Sequence, residues 1–295
     1  MDKIIIIAGP TASSKTSTSI EVAKMLDGEI ICADSMQIYK YMDIGTAKVT
    51  KEEMQNIPHY MYDIVEPNQT YSVFDYVQNA KKHIKDIIDR KKTPILVGGT
   101  GLYFESLIYP FGLGVKSDDK IKQTLLDELE KYGAEYLHNK LKEIDPIEAE
   151  KTHANNTKRV VRALEIYYSS GKKKSEINEN KELLYDVDFN VLTLDRDVLY
   201  DRINMRVDLM FEYGLEREVR ALLDRGYTFD MQSMQAIGYK EFKDYFSGDM
   251  TLNDTIELIK KNSRNYAKRQ ITWFKRYSFA DNLSPNDCIL KYKNK

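Results

Sequence analysis

The stretch GPTASSKT, residues 9–16, decides the fold of this chain, because it joins a β-branched run at residues 4–7 to a helical pattern. A loop that begins with glycine, lies between a strand and a helix and closes on Lys-Thr is typical of phosphate binding. Its backbone N–H groups and the helix N-terminus face an anion, Lys15 adds positive charge, and Thr16 can bind Mg²⁺. The alternative is a strand–turn–helix with a chance Lys-Thr pair.

The loop departs from the usual spacing G-x-x-x-x-G-K-[ST] at one position, where Ser14 replaces the second glycine. A Cβ there would crowd a bound phosphate or strain the turn, at about 1 kcal/mol if the position needs a positive φ. Serine is the mildest replacement available, so we expect the phosphate site to form.

Composition indicates a globular chain, since 42% of its 295 residues are hydrophobic and 31% are charged. That length allows one large domain or two ordinary ones. Asp2 and Lys3 precede only a short apolar run, so no signal peptide is predicted, and no apolar run approaches the roughly 20 residues that span a bilayer. Two cysteines, Cys32 and Cys288, exclude a zinc ribbon or disulfide framework. We therefore expect a cytoplasmic protein that contacts no membrane.

The net charge of −2 argues against nucleic-acid binding, but positive charge is concentrated near the C-terminus. Residues 258–295 hold ten lysines and arginines against Asp281 and Asp287. Within them, RNYAKRQITWFKRY at 264–277 interleaves aromatic with basic residues, a pattern suited to phosphate neutralisation and base stacking. The alternative is an amphipathic helix with a solvated basic face and its aromatic residues in the core.

Two further buried strands, at residues 29–33 and 94–97, end in polar turns. The first turn begins with Asp34, and the second, GGTGLY, contains Thr100. With helical patterns at 17–26 and 72–90, the strands predict an α/β fold with a parallel sheet, in which ligands bind at the carboxyl ends of the strands. Asp34 is thus a candidate metal ligand or general base, or else a turn or cap residue. Residues 41–66 lack periodicity and are expected to line a site.

The middle of the chain is helical and lacks strand signals, which predicts an insertion at residues 113–188 between two parts of the core, 1–112 and 189–295. The insertion contains Arg159 and Arg162, three apart and therefore on one helical face. A strand at 189–194 returns the chain to the sheet. The helix that follows carries Arg202 and Arg206 on one face, where two guanidiniums could clamp a pyrophosphate opposite Lys15 or lie on the surface.

A phosphate loop with a nearby carboxylate supports two kinds of chemistry. In a kinase, Mg²⁺ and lysine stabilise a transferred phosphoryl group. In prenyl transfer, the same loop holds pyrophosphate as a leaving group while the carboxylate accepts a proton from the attacking atom. The loop alone does not distinguish the two.

Eight motifs, in order and at these distances, resemble those of the bacterial tRNA dimethylallyltransferase family. The resemblance covers nearly the whole chain, from Lys3 to about residue 279. The motifs are GPTASSKT, ADSMQIYKYMDIGTAK, PHYMYD, PILVGGTGLYFESLIYP, HANNTKRVVRALE, YDRINMRVDLMFEYGL, SMQAIGYKE and RNYAKRQITWFKR.

The resemblance implies a reaction in which dimethylallyl diphosphate gives its prenyl group to N6 of the adenosine 3′ of the anticodon. It also implies a P-loop NTPase-like core with bound Mg²⁺, an inserted all-helical domain that grips the anticodon stem-loop, a flipped-out target base, and a monomer.

Family roles transfer to matching positions. Asp34 would be the general base and Thr100 would help to hold the amine, and both would contact the tRNA. The chain departs from the family pattern at Ser14, where the loop motif has Gly, and at Asn156, where relatives often have Asp. His59 matches the PH motif, but the resemblance gives it no defined role. The implied donor site comprises Gly9, Pro10, Thr11, Ala12, Ser13, Ser14, Lys15, Thr16 (also the Mg²⁺ ligand) and Arg206. The other implied tRNA contacts are Ser35, Met36, Gln37, Gln123, Lys158, Arg159, Val160, Val161, Arg162, Gln235, Gly238 and Lys240.

Three alternative functions share parts of this pattern. An enzyme that prenylates free AMP, ADP or ATP would have the same fold, but the long insertion and basic C-terminal region favour tRNA. A P-loop kinase would consume ATP without a prenyl donor. A non-catalytic relative, disabled at Ser14, would bind tRNA without transfer.

Overall fold

The computed structural model describes residues 1–110, 118–177 and 182–293. Within these residues, six strands form one parallel sheet in the order β3-β2-β4-β1-β5-β6. The strands are β1 (Lys3–Ala8), β2 (Gly28–Cys32), β3 (His59–Tyr60), β4 (Thr93–Gly98), β5 (Asp186–Leu192) and β6 (Asp281–Leu283).

The central strand β1 consists of isoleucines because both faces of the sheet are covered, and its residues 4–7 are at most 2% exposed. The strands predicted at 4–7, 29–33 and 94–97 are confirmed to within one residue at each end. The fourth begins at Asp186, three residues before the predicted start, and ends at Leu192. Its first residues alternate between polar and apolar, so the hydrophobic pattern placed the start of the strand too late. The polar residue Asp188 forms an ion pair with Lys291.

Helices and irregular segments make up the rest of the described chain. Helix α1 begins at Lys15, two residues before its predicted start, because Ser14 is its N-cap. The helices are α1 (Lys15–Met25), α2 (Lys51–Met54), α3 (Val73–Asp89), α4 (Gly101–Ile108), α5 (Asp119–Tyr132), α6 (Ala134–Ile144), α7 (Pro146–Lys151), α8 (Thr157–Ser170), α9 (Lys174–Ile177), α10 (Arg196–Glu212), α11 (Leu215–Asp224), α12 (Phe242–Phe246), α13 (Leu252–Phe274) and α14 (Pro285–Lys293), with a 3₁₀ turn at Ser233–Gln235.

Contacts divide the chain into two compact units, one of Met1–Phe104 with Tyr185–Lys295 and the other of Glu105–Leu184. The second unit begins and ends a few residues before the predicted insertion at 113–188. The predicted boundary between residues 112 and 113 lies outside the described residues. In the second unit, α5, α6 and α8 pack around a core that includes Leu125, Leu137 and Leu164.

The basic C-terminal segment is mostly the long helix α13. Its aromatic residues do not form an exposed row, since Phe274 and Tyr277 are buried at 3% and 6% exposure. Phe274 packs against Phe104 and Phe189 beside the sheet. The base-stacking interpretation is therefore wrong for these two residues, and the amphipathic alternative describes them. Among the described residues, no helix has the length and apolarity needed to span a bilayer.

A glycine at the end of β4 lets the neighbouring strand end approach closely. A Cβ on Gly98 would lie 2.1 Å from the carbonyl oxygen of Ala33, at the end of β2. That contact is with backbone, so no side-chain rotation could relieve it.

We expect Gly98→Ala to lower the free energy of unfolding by about 3 kcal/mol, because the strand ends must separate. The matched control is Gly226→Ala, at a φ of 86° with no atom within 4 Å of its Cβ, which should cost about 1 kcal/mol from backbone strain alone. Urea unfolding of both variants measures the difference; equal losses would contradict the close-approach explanation.

Candidate active site

The carboxyl ends of β1, β2 and β4 surround a cavity of about 880 Å³ in the first unit. The phosphate loop lines one side, the turn after β2 lines another, and α10 and α13 complete the wall. Most of the predicted site residues of this unit line the cavity: Thr11, Ala12, Ser13, Ser14, Lys15, Thr16, Asp34, Ser35, Met36, Gln37, Arg206, Gln235, Gly238 and Lys240. Three other predicted site residues, Gly9, Pro10 and Thr100, are not part of the lining.

The phosphate loop has two non-glycine residues in the left-handed region, Ala12 at φ 63° and Ser14 at φ 64°. The positive φ that the motif requires at position 14 is therefore adopted by a serine. Its hydroxyl accepts a hydrogen bond from Nη1 of Arg202 at 2.9 Å. The serine thus carries backbone strain but holds a guanidinium against the loop, a contact that glycine could not make.

Positive charge concentrates at the loop. The Lys15 ammonium donates to the carbonyl oxygen of Pro10 at 2.6 Å, and Nη1 of Arg206 lies 3.5 Å from Oγ1 of Thr11. Burial and the nearby Arg206 lower the pKa of Lys15 to about 7, and the Asp34 charge opposes this only in part. Burial also lowers the pKa of Arg206. Asp34 and Glu53 oppose these shifts without cancelling them, so an anion in the cavity would restore charge to Lys15.

The turn after β2 is held by two side chains. Oδ1 of Asp34 accepts the N–H of Met36 at 2.9 Å, which closes the turn. Oγ1 of Thr100, after β4, accepts the N–H of Ser35 at 3.0 Å and lies 3.3 Å from its hydroxyl oxygen. Thr100 therefore holds the turn through Ser35, whereas Asp34 and Ser35 line the cavity.

The irregular segment after this turn does line the cavity, as predicted, from Asp43 to Thr50. One carboxylate, that of Glu218 on α11, accepts the N–H groups of Asp43, Ile44 and Gly45 at 2.9, 2.7 and 3.1 Å. It also accepts the hydroxyl of Tyr239 at 2.6 Å. The segment is thus fixed by hydrogen bonds to Glu218, a residue far along the chain that sequence reasoning missed.

The predicted tRNA contacts in the second unit differ in exposure. Lys158 and Arg159 are exposed on α8. Val160 and Val161 are buried at 0% and 6% exposure, so their assignment to a contact surface is corrected: their side chains belong to the core of this unit. A helix that exposes residues 158 and 159 must turn its next positions inward.

Two other predicted contacts in this unit are engaged by neighbouring carboxylates. Arg162 forms an ion pair of 2.8 Å with buried Glu165, and Nε2 of Gln123 donates to Asp127 at 2.8 Å. Of the set, Lys158 and Arg159 are the side chains most available to a phosphate.

Comparison with known proteins gives a consistent result. The model of the IPP transferase family matches residues 37–277 of this chain. The chain belongs to the IPP transferase family. A tRNA dimethylallyltransferase from Bacillus anthracis is 52% identical over 277 residues, covering 93% of this chain and 88% of that protein. One from Bacillus cereus is 53% identical over the same length, covering 93% and 87%.

Solved structures of the family share the fold. The full-length tRNA isopentenylpyrophosphate transferase from Bacillus halodurans is 45% identical, with a TM-score of 0.75 over 100% of this chain and 95% of its own. A eukaryotic dimethylallyltransferase acting on tRNA is 36% identical, with a TM-score of 0.81 over 92% of this chain and 70% of its own. The predicted P-loop NTPase-like core is therefore confirmed.

The donor set at the loop fits a magnesium ion bound chiefly through phosphate. Thr16 lines the cavity next to Lys15, and no group of three or more His, Cys, Asp or Glu that could hold a metal occurs in the described residues. Mg²⁺ commonly keeps several waters and uses few protein ligands beside substrate phosphates, so a hydroxyl at the loop is sufficient.

Five residues of α13 line the cavity, and sequence reasoning predicted none of them as site residues; Tyr266 and Gln270 are two of the five. Both fall in the segment whose basic and aromatic pattern drew attention to RNA instead. Burial and the Asp34 charge raise the pKa of Tyr266, and hydrogen bonds with Thr100 and Gln270 oppose that rise. An internal glutamine in an amphipathic helix is the only signal that could have indicated the second residue.

His59 matches a family motif and lies on β3, away from the cavity lining. Its Nδ1 is 2.8 Å from the carbonyl oxygen of Ile57, and burial lowers its pKa. A neutral ring bonded to local backbone indicates a structural role at the sheet edge.

Replacement of Ser14 by alanine and by glycine separates strain from hydrogen bonding. Both variants lose the bond from Arg202, but only Ser14→Ala keeps a Cβ at φ 64°. We expect Ser14→Gly to be more stable than Ser14→Ala by about 1 kcal/mol. Thermal unfolding of the pair measures this, and equal stabilities would mean that the loop relaxes out of the left-handed region.

The lowered pKa of Lys15 predicts proton uptake on ligand binding. With a pKa of about 7 in the free protein, the side chain is mostly neutral at pH 8, and bound diphosphate should return it to the charged form. Calorimetry in buffers of different ionisation enthalpy should then show about one proton more taken up than by Lys15→Arg, which is always charged.

The same comparison at pH 6 provides the control, because Lys15 is then charged before binding. No difference between the two proteins at pH 8 would show that Lys15 stays charged in the free protein.

Proposed function

We propose that this chain transfers the dimethylallyl group of dimethylallyl diphosphate to N6 of the adenosine 3′ of a tRNA anticodon, releasing diphosphate. The observation that carries the proposal is a single cavity lined by both a cationic phosphate loop and Asp34. Membership of the IPP transferase family, with relatives named tRNA dimethylallyltransferases, supports the same reaction.

In this scheme the loop binds the leaving group. Lys15, Arg206 and the amides at the start of α1 would neutralise the charge that develops on the diphosphate as its C–O bond breaks. A magnesium ion at Thr16 would add charge neutralisation on the same oxygens. Thr11 takes less part than the motif suggests, because its N–H is already donated to Gln270 at 2.9 Å.

Asp34 would accept the proton from the acceptor amine. The lone pair of adenine N6 is delocalised into the ring, so the amine is a poor nucleophile and gains acidity only as the new C–N bond forms. A carboxylate within reach at that moment removes the proton and drives the transfer to completion. The Met36 N–H donates its hydrogen bond to Oδ1 of Asp34, so the proton would go to the other carboxylate oxygen, Oδ2.

The helical unit supplies the proposed grip on RNA. Exposed Lys158 and Arg159 on α8 would contact phosphates, while Gln235, Gly238 and Lys240 line the cavity where the target nucleotide would enter. Phosphate contacts position an RNA, and the flipped base is then read inside the cavity.

The direct test is a transfer assay with radiolabelled dimethylallyl diphosphate, Mg²⁺ and unmodified tRNA whose anticodon is followed by adenosines. Label should appear on the adenosine 3′ of the anticodon. Label on free AMP, ADP or ATP instead of tRNA would contradict the proposal, as would ATP consumption without a prenyl donor, or tRNA binding without any transfer.

Asp34→Asn should lower the single-turnover rate by about 100-fold or more while tRNA affinity changes little, because the proton acceptor is lost but the shape is kept. Asp224→Asn, at an exposed position of α11, is the matched control and should retain full activity. A loss of tRNA affinity with an unchanged rate would make Asp34 a binding residue.

Lys158→Ala should weaken tRNA binding and reduce the slope of log affinity against log salt by about 1, the value for one lost phosphate contact. Lys81→Ala, an exposed lysine of α3 in the other unit, serves as the charge-matched control. If both variants change the slope equally, α8 is not a specific contact surface.

A further inference from the structure

A buried amide connects the phosphate loop to the turn after β4. Gln270 on α13 is 4% exposed and has both ends of its side chain bonded. Its Oε1 accepts the N–H of Thr11 at 2.9 Å, and its Nε2 donates to the carbonyl oxygen of Gly99 at 3.0 Å. A carboxamide offers a strong acceptor and a strong donor in one planar group, so a single uncharged side chain makes both bonds.

These bonds continue to the general base. Gly99 precedes Thr100, whose Oγ1 accepts the N–H of Ser35 at 3.0 Å, and Ser35 follows Asp34. Four residues earlier on α13, Tyr266 lines the same cavity as the phosphate loop and Asp34. A continuous set of contacts therefore runs from the loop that binds diphosphate to the residue that accepts the proton.

The sheet explains why such a connection is needed. The loop follows β1 and Asp34 follows β2, while β4 lies between these strands. Pairing in the sheet fixes the strands but not the irregular segments beyond their ends. The amide of Gln270 fixes two of these segments, since it bonds the segment after β1 and the one after β4 at the same time.

We propose that Gln270 is a positioning residue for prenyl transfer, which sets the distance between the diphosphate loop and the Asp34 turn. The proposal rests on the proposed function for its catalytic consequence, but not for its effect on the loop. Both polar ends of Gln270 are used within the protein, so it acts through Thr11 and Gly99. Reactions between two bound groups are sensitive to displacements of about 1 Å, which can cost about 100-fold in rate.

The main test compares Gln270→Met with Phe274→Leu. Methionine keeps the volume of glutamine but removes both hydrogen bonds. Phe274 is buried one turn later on α13 and packs against Phe104 and Phe189, so its replacement weakens the same helix without touching the two loops. Phe274→Leu therefore controls for loss of stability.

We expect Gln270→Met to lower the single-turnover rate at saturating donor and tRNA by at least about tenfold. Its affinity for inorganic diphosphate with Mg²⁺ should fall severalfold, and its tRNA affinity should stay within twofold of that of the unchanged protein. Phe274→Leu should lower Tm by a similar or larger amount and leave both the rate and the diphosphate affinity within threefold.

A second variant displaces the amide without changing it. A Cβ on Gly99 would lie 2.1 Å from Nε2 of Gln270, the far end of a flexible side chain. Gly99→Ala should therefore reproduce the loss in rate, and the double variant Gly99→Ala/Gln270→Met should be no slower than the worse single one. This variant keeps the test available if Gln270→Met does not fold.

Two outcomes would overturn the proposal: an unchanged rate and diphosphate affinity in Gln270→Met and Gly99→Ala, or losses in Phe274→Leu as large as in Gln270→Met. The diphosphate measurement requires no transfer. If the unchanged protein does not prenylate tRNA, a specific loss of diphosphate affinity in Gln270→Met would still support the role at the loop, and only the proposed function would fail.

Discussion

The parallel pairing of β1 with β4 and of β4 with β2 is the constraint on which the site depends. Parallel strands present all their carboxyl ends at one edge, so segments distant in sequence must meet there. In this protein the segments after β1 and β2 bring a cationic loop and a carboxylate to a common cavity, and the Thr100 hydroxyl after β4 holds the turn that follows the carboxylate. Gly98 allows the ends of β2 and β4 to approach closely, so the segments that follow these strands are joined by direct hydrogen bonds such as that between Ser35 and Thr100.

That arrangement has an electrostatic cost. Lys15 and Arg206 are partly removed from water next to each other, and the effect is visible in the lowered pKa of both side chains. Evolution tolerates such a cluster where a ligand brings the missing negative charge. The backbone strain at Ser14 is a second cost of forming the phosphate site. The loop keeps the conformation that aims its amides inward, although a serine must then adopt a left-handed backbone.

Sequence patterns predicted those parts of the site whose signals are local. Asp34 directly follows a hydrophobic run, and Lys15 closes the short loop that begins directly after another, so strand and functional residue are read together. Glu218 and Gln270 carry no local signal, because the loop backbone groups that they bond lie more than 170 residues away in the chain.

The family resemblance did not show which residues of α8 are exposed. It assigned Val160 and Val161 to the RNA surface together with their neighbours, but motif matching does not separate the exposed from the buried face of a helix. Burial in the second unit makes that distinction, and it leaves Lys158 and Arg159 as the surface of α8.

The carboxylate of Glu218 has a consequence for how the cavity wall moves. It holds three successive backbone N–H groups, those of Asp43, Ile44 and Gly45, in a segment with neither helix nor strand. Amide hydrogens bonded in this way exchange with solvent only when the bonds open, so this loop should exchange as slowly as regular secondary structure. Its exchange should also accelerate together with that of α11, so that the rim of the cavity and a helix far along the chain open as one unit.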